Sequence, residues 1–180
     1  MKIVGVDTSL VKTGFAIIKD DGTVLDSGII KSKPVGPKPI DETRRIVKIA
    51  QEVIDKIEKF LPHHGDILFV IEGLAYMAQG TSLTQLAGLN YIIRSLLLEL
   101  EIPFIIIAPT SLKKFITGSG KGDKDQMMMS VYKNYGFESM DNNQCDAYSL
   151  AVCGAALLGS PIKKLGVPQQ EVVKLLKKQL

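Results

Sequence analysis

Apolar positions group into short runs near the start of the chain. Residues 2–6 read as a strand, 14–18 as a second and 24–31 as a third, with Asp20-Asp21-Gly22 turning the chain between the last two. Three strands joined by short turns make an antiparallel meander. Lys31 to Pro39 holds three prolines and a glycine and reads as a loop. From about Asp41 the period changes: Ile46, Ile49, Ala50, Val53, Ile57 and Phe60 recur at helical spacing, with charges on the other face. Residues 67–71 are a continuous apolar run, as expected of a strand covered on both faces.

Ser82 and Gln85 match a capping box, and a long helix is expected from there to about Leu100. Phe104 to Ile107 reads as a fifth strand, and Pro109 suits the opening of another helix. Lys124 to Tyr135 and Asn142 to Leu158 read as helices, and Pro168 opens a short last one. The order predicts an α/β fold. Its sheet is mixed and five-stranded, three antiparallel strands and then parallel ones, with helices on both faces. Residues 1–159 form the main domain and 160–180 a basic C-terminal tail. In that tail Val172, Leu176 and Leu180 make an apolar stripe, for which core packing is the first reading and DNA contact or subunit contact the others.

At 180 residues and 46% hydrophobic content the chain can bury a full core, and one domain is the default. The net charge of +3 neither demands nor excludes nucleic acid. Cys145 and Cys153 lie eight residues apart on one expected helix, about 12 Å by rise, too far for a disulfide. With no zinc spacing, no signal peptide and no apolar run of membrane length, a cytoplasmic protein with reduced thiols is expected. His63 and His64 lack a third ligand and read as loop residues.

The chemistry lies in three acids. Ile3-Val4-Gly5-Val6-Asp7 and Ile67-Leu68-Phe69-Val70-Ile71-Glu72 are apolar strands that each end on a carboxylate, and Asp146 lies on a late helix. A buried carboxylate is costly unless a cation or a proton meets it. Three of them at one sheet edge suit a divalent metal, with magnesium or manganese favoured over zinc. The cations Lys113, Lys114, Lys121 and Lys124 surround the flexible Gly118-Ser119-Gly120 segment and are candidates for DNA phosphate contact, with Arg44 beside Arg45 as another.

Four stretches carry a likeness to a known family: G-V-D-T-S-L-V-K-T-G at 5–14, I-E-G-L at 71–74, G-S-G-K-G-D-K-D-Q at 118–126 and C-D-A-Y-S-L-A at 145–151. With the order of elements, they resemble the ribonuclease H-like superfamily and, within it, the RuvC type of Holliday junction resolvase. The likeness runs from Met1 to about Gly159. It implies a metal-dependent endonuclease of DNA recombination and repair that nicks branched DNA, a homodimer, and products a ligase could seal. It also implies two magnesium ions, with manganese as a substitute. Asp7 would bridge them, and Glu72 and Asp146 would hold one each. Lys121 and Lys124 would assist cleavage, Tyr76 would stack on a junction base, and the long helix near Leu83 to Leu97 would contribute to the dimer face.

One position departs from that pattern. The family carries two aspartates three residues apart on the last helix, and here the earlier one is Asn143, a neutral metal ligand at most. A divergent phage or bacterial member is then expected, with weaker metal binding. Asp141, followed by Gln144, reads as a helix N-cap. Asn143 keeps open a second reading, a structure-selective DNA-binding protein with a degenerate metal site. Another nuclease of the same fold is a third. An actin-like ATPase needs two such domains, and Gly118 to Gly122 lacks the spacing of a P-loop.

Overall fold

The structure is a computed structural model; it describes residues 1–60, 67–74 and 80–180, with Thr81 by its backbone alone. His63, His64 and Tyr76 lie outside the described residues. Five strands form one sheet: β1 (Lys2–Asp7), β2 (Lys12–Lys19), β3 (Val24–Lys31), β4 (Ile67–Glu72) and β5 (Phe104–Ile107), in the spatial order β3-β2-β1-β4-β5. The first three are antiparallel neighbours, while β4 runs parallel to both β1 and β5.

Side chains alternate along each strand and so divide between two cores. Val4, Val6, Phe15, Ile17, Phe69 and Ile71 face α1 (Pro39–Glu58) and α2 (Thr81–Glu99). Ile3, Ala16, Ile18, Leu68, Val70 and Ile105 face the other layer: α3 (Pro109–Thr117), α4 (Lys124–Tyr135), α5 (Asn142–Leu157) and α6 (Val167–Leu176). The strands at the centre are apolar on both faces because helices cover both. This is the mixed five-stranded α/β sheet expected from the sequence.

Helix α5 lies directly on the sheet. A Cβ on Gly5 would sit 1.9 Å from the carbonyl oxygen of Ala147, and one on Gly14 would sit 2.0 Å from that of Asn143. Only glycine permits backbone on backbone at that distance. Ala147, Ala151 and Ala155 keep the rest of that helix face small, and all three are buried.

Two local readings change. Helix α2 starts at Thr81, and its N-cap is Gly80 at φ 104°, with no side-chain cap, so Ser82 and Gln85 do not form a capping box. A φ of that sign is open to glycine and strained for other residues, so Gly80 sets where the helix begins. In the tail, Val172, Val173 and Leu176 are buried against the core, but Leu180 is 68% exposed. The chain ends in a 3-10 turn, Lys177–Gln179, which breaks the α-helical spacing that would have brought Leu180 inward. That turn places the Gln179 amide on the edge strand, accepting from Ile106 N–H at 3.0 Å and donating to Ile106 C=O at 2.8 Å. It occupies backbone groups that an exposed edge would leave open.

Candidate active site

Register brings the first two acids together. Parallel pairing sets Val6 beside Ile71, so the next residues, Asp7 and Glu72, end neighbouring strands side by side. Alternation turns both toward the α5 layer, since Asp7 follows Ile3 and Gly5, and Glu72 follows Leu68 and Val70. The buried Asn90 of α2 donates to the Glu72 carbonyl at 3.2 Å and fixes the end of β4. Because α5 rests on Gly5 and Gly14, its first turns deliver Asp146 to the same place.

A cavity of about 400 Å³ results, lined by Asp7, Thr8, Glu72, Lys113, Lys124, Asn143 and Asp146, with Ser9, Pro109, Leu112 and Met127 completing the wall. Asp7 is buried, and its carboxyl is pushed far up by burial and then by the neighbouring charge of Glu72. Glu72 is also raised by burial. Two carboxyls in that arrangement coexist by sharing a proton or by facing a cation. Asp146 is pushed up to about 6, first by burial and then by Glu72. Lys124 and Lys113 offset part of this negative field.

The candidate cations separate. Lys113 of α3 and Lys124, at the start of α4, line the cavity. Asp123 caps α4 by accepting from Gln126 N–H at 2.8 Å, which fixes where Lys124 begins the helix. Lys121 is exposed and outside the cavity wall. Lys114 turns away, to an ion pair with Glu171 of α6. Arg44 is exposed on α1, across the sheet from α5.

Asn143 lines the cavity, and its side-chain amide donates to the Lys12 carbonyl at the start of β2. That bond uses one of the two N–H donors of the amide, whose oxygen is the atom that could meet a cation. Asp141 caps α5, accepting from Asn143 N–H at 3.0 Å, and pairs with Lys12 Nζ at 2.9 Å. Those bonds and the Lys12 ammonium hold the Asp141 carboxyl below its usual range. Gln144 bonds Ser139 and Ser27 instead of closing a capping box. Lys12, Thr8 and Ser9 were not singled out from the sequence. The T-S-L-V-K-T run after Asp7 was the available signal, and its role depends on α5 lying across it.

The model of the family described as crossover junction endodeoxyribonuclease RuvC matches residues 3–154. The chain belongs to the RuvC family. As a member it is an endodeoxyribonuclease of crossover junctions, metal-dependent as the family is. A RuvC from Synechococcus sp. (strain WH7803) is 26% identical over 159 residues, covering 86% of this chain and 97% of the relative. A RuvC from Neorickettsia sennetsu is 31% identical over 160 residues, covering 85% and 90%. Among solved structures, Thermus thermophilus RuvC in complex with a Holliday junction substrate superposes with a TM-score of 0.71 at 18% identity, covering 89% of this chain and 97% of that one. At that identity the likeness supports the ribonuclease H-like fold of RuvC and nothing finer.

The donor set fits a divalent ion. Its groups are hard oxygens from three carboxyls and one amide, in a wall where burial disfavours the ionised form of each acid. Among the described residues no three Asp, Glu, His or Cys side chains are gathered tightly enough to grip one ion by themselves. Magnesium retains several of its waters and needs only one or two carboxylates. Among the described residues no helix is long and apolar enough to cross a membrane.

Proposed function

We propose that the chain resolves four-way DNA junctions by paired nicks, with Asp7, Glu72 and Asp146 holding two magnesium ions. The observation that carries this reading is the convergence of three carboxyls from β1, β4 and α5 on one cavity, in a chain of the RuvC family. Bound there, the ions supply a deprotonated water at neutral pH and neutralise charge at the scissile phosphate. The protein's own residues orient and screen. Asp7, on β1 between β2 and β4, would hold the ions together with Glu72 and Asp146. Asn143 lines the same cavity and would offer its amide oxygen as a neutral ligand. Lys113 and Lys124 face the cavity and stabilise the pentavalent phosphate as its charge grows. Lys121 stands farther out and would meet the flanking backbone of the DNA, while Lys114 is committed to Glu171. Tyr76 remains the candidate for stacking on a junction base.

A homodimer supplies the symmetry that two matched nicks need. Helix α2 supports this, since Tyr91 and Leu98 are 63% and 68% exposed. Manganese is expected to substitute for magnesium.

The test is a gel assay of the protein on a synthetic four-way junction, a flap and a linear duplex, with magnesium, manganese or EDTA. Symmetric nicks in the junction, absent with EDTA and reduced about a thousandfold or more by Asp7→Asn, are expected, because losing a ligand forfeits several kcal/mol of charge stabilisation. Asp7→Asn should still bind the junction. Binding without nicking under every metal would replace this reading with the degenerate-site binder.

A further inference from the structure

A second concave site lies at the same end of the sheet, on the opposite face. Strands β1, β2 and β3 alternate in direction, so Asp7, Lys12 and Lys31 share that end. A cavity of about 120 Å³ opens there, between the end of β3 and α1, lined by Lys31, Ser32, Lys33, Arg45, Lys48 and Glu52. Four of these side chains are cations and one is an acid. Glu52 lies 3.8 Å from Lys48, one turn along α1. Among the described residues, Lys31, Lys33 and Arg45 form no ion pair. From 31 to 48 the chain has six basic residues and two acids.

Arg45 makes this more than a cluster of surface lysines. It is half-buried and held on two sides, with Nε donating to Ser32 Oγ at 2.9 Å and a terminal nitrogen donating to the Leu10 carbonyl. Both acceptors are neutral, so a partly desolvated charge has no anion. A guanidinium has five N–H donors, so three remain, in a fork suited to phosphate oxygens. Leu10 lies three residues after Asp7, and the Ser32 N–H donates to the Val11 carbonyl at 3.0 Å. The cationic wall is therefore tied to the loop that leaves the catalytic strand. β3 stands two strands from β1, about 10 Å by strand spacing.

We propose that Lys31, Lys33, Arg45 and Lys48 form a phosphate-binding site that holds the DNA backbone outside the catalytic cavity. The inference rests on the DNA-cleaving reading above and adds where the substrate is gripped. DNA leaving the carboxylates along this end of the sheet meets fixed positive charge on the α1 side. The site contributes affinity and takes no part in the chemistry.

The test is junction affinity against salt, measured in EDTA by fluorescence anisotropy, with the nicking rate at saturating junction measured separately in magnesium. Lys31→Ala combined with Lys33→Ala should weaken binding about tenfold and lower the slope of log K against log salt by about two, one per lost phosphate contact. Nicking at saturation should stay within about twofold of wild type. The control is Lys19→Ala with Lys164→Ala: both are exposed and belong to the other end of the sheet, where Gly22 meets Ile162. It should change neither quantity. Unchanged affinity and slope in the first variant, or equal losses in both, would overturn the site. Wild-type protein that binds the junction without nicking would sink the nuclease reading while leaving this binding test decisive. Failure of the wild type to bind would overturn both.

Discussion

Asp7 and Glu72 follow the paired residues Val6 and Ile71 at the ends of adjacent parallel strands, and both carboxyls line one cavity. Fully ionised, the pair would repel in a weakly solvated wall, so burial and mutual charge favour its protonated forms. Asp146, pushed up to about 6, adds to the same field.

That strain predicts a pH-dependent stability. All three acids have folded pKa values above their unfolded ones. Between the unfolded value near 4 and the folded values, the native state binds more protons than the unfolded state, and stability falls as pH rises. The melting temperature of metal-free protein should fall from pH 5 to pH 8. Magnesium should raise it more at pH 8, because binding requires deprotonated ligands. Asp7→Asn should flatten the metal-free profile. Scanning fluorimetry with EDTA or magnesium checks all three, and a flat wild-type profile would contradict the raised proton affinity of these acids.

Asn143 is tied to Lys12 through a donor that aspartate lacks. In Asn143→Asp a carboxylate would face the Lys12 carbonyl oxygen, so the metal-free protein should lose about 1 kcal/mol of stability. Cleavage at saturating magnesium should not rise. Denaturant melts and single-turnover rates measure the two effects. A large gain in rate would show instead that the fourth negative charge was what the site lacked.

Glycine substitutions separate close approach from ordinary helix content. In Gly5→Ala the new methyl would meet the backbone of Ala147, which cannot rotate away, and about 3 kcal/mol or more should be lost together with the placement of Asp146. Gly88, within α2, meets only the Ile46 side chain, at 3.9 Å. Gly88→Ala should stabilise by about 0.5–1 kcal/mol through helix propensity. Similar effects at both positions would refute the backbone contact between α5 and β1.

Lys113 and Lys124 face the cavity while Lys121 does not. Lys124→Ala and Lys113→Ala should each lower the saturated nicking rate about a hundredfold, the range for losing one electrostatic donor to a transition state. Lys121→Ala should weaken junction binding only a few-fold and leave that rate within about threefold of wild type. Equal rate losses at Lys121 and Lys124 would mean that the loop carrying Lys121 closes onto the substrate.

The elements, and the acids that end two of the strands, are legible in local sequence. Strand runs ending on Asp7 and Glu72 are legible because alternation and apolar content are local properties, and the helices show in their period. Proline at the openings of α3 and α6 is equally local. The tertiary structure decided what depends on contacts between distant segments. That Gly5 and Gly14 seat α5, that Asn143 spends its amide on Lys12, and that Lys114 turns to Glu171 while Lys124 enters the cavity are relations across more than fifty residues. The start of α2 at Gly80 and the outward turn of Leu180 were misread for a related reason: backbone conformation at a helix end is set by one or two dihedral angles that periodicity does not encode. The cations between residues 31 and 48 are spread over a strand end, a loop and a helix, and only the packing of α1 against β3 gathers them around Arg45. Side-chain chemistry is written locally, and the partner each side chain meets is written by packing.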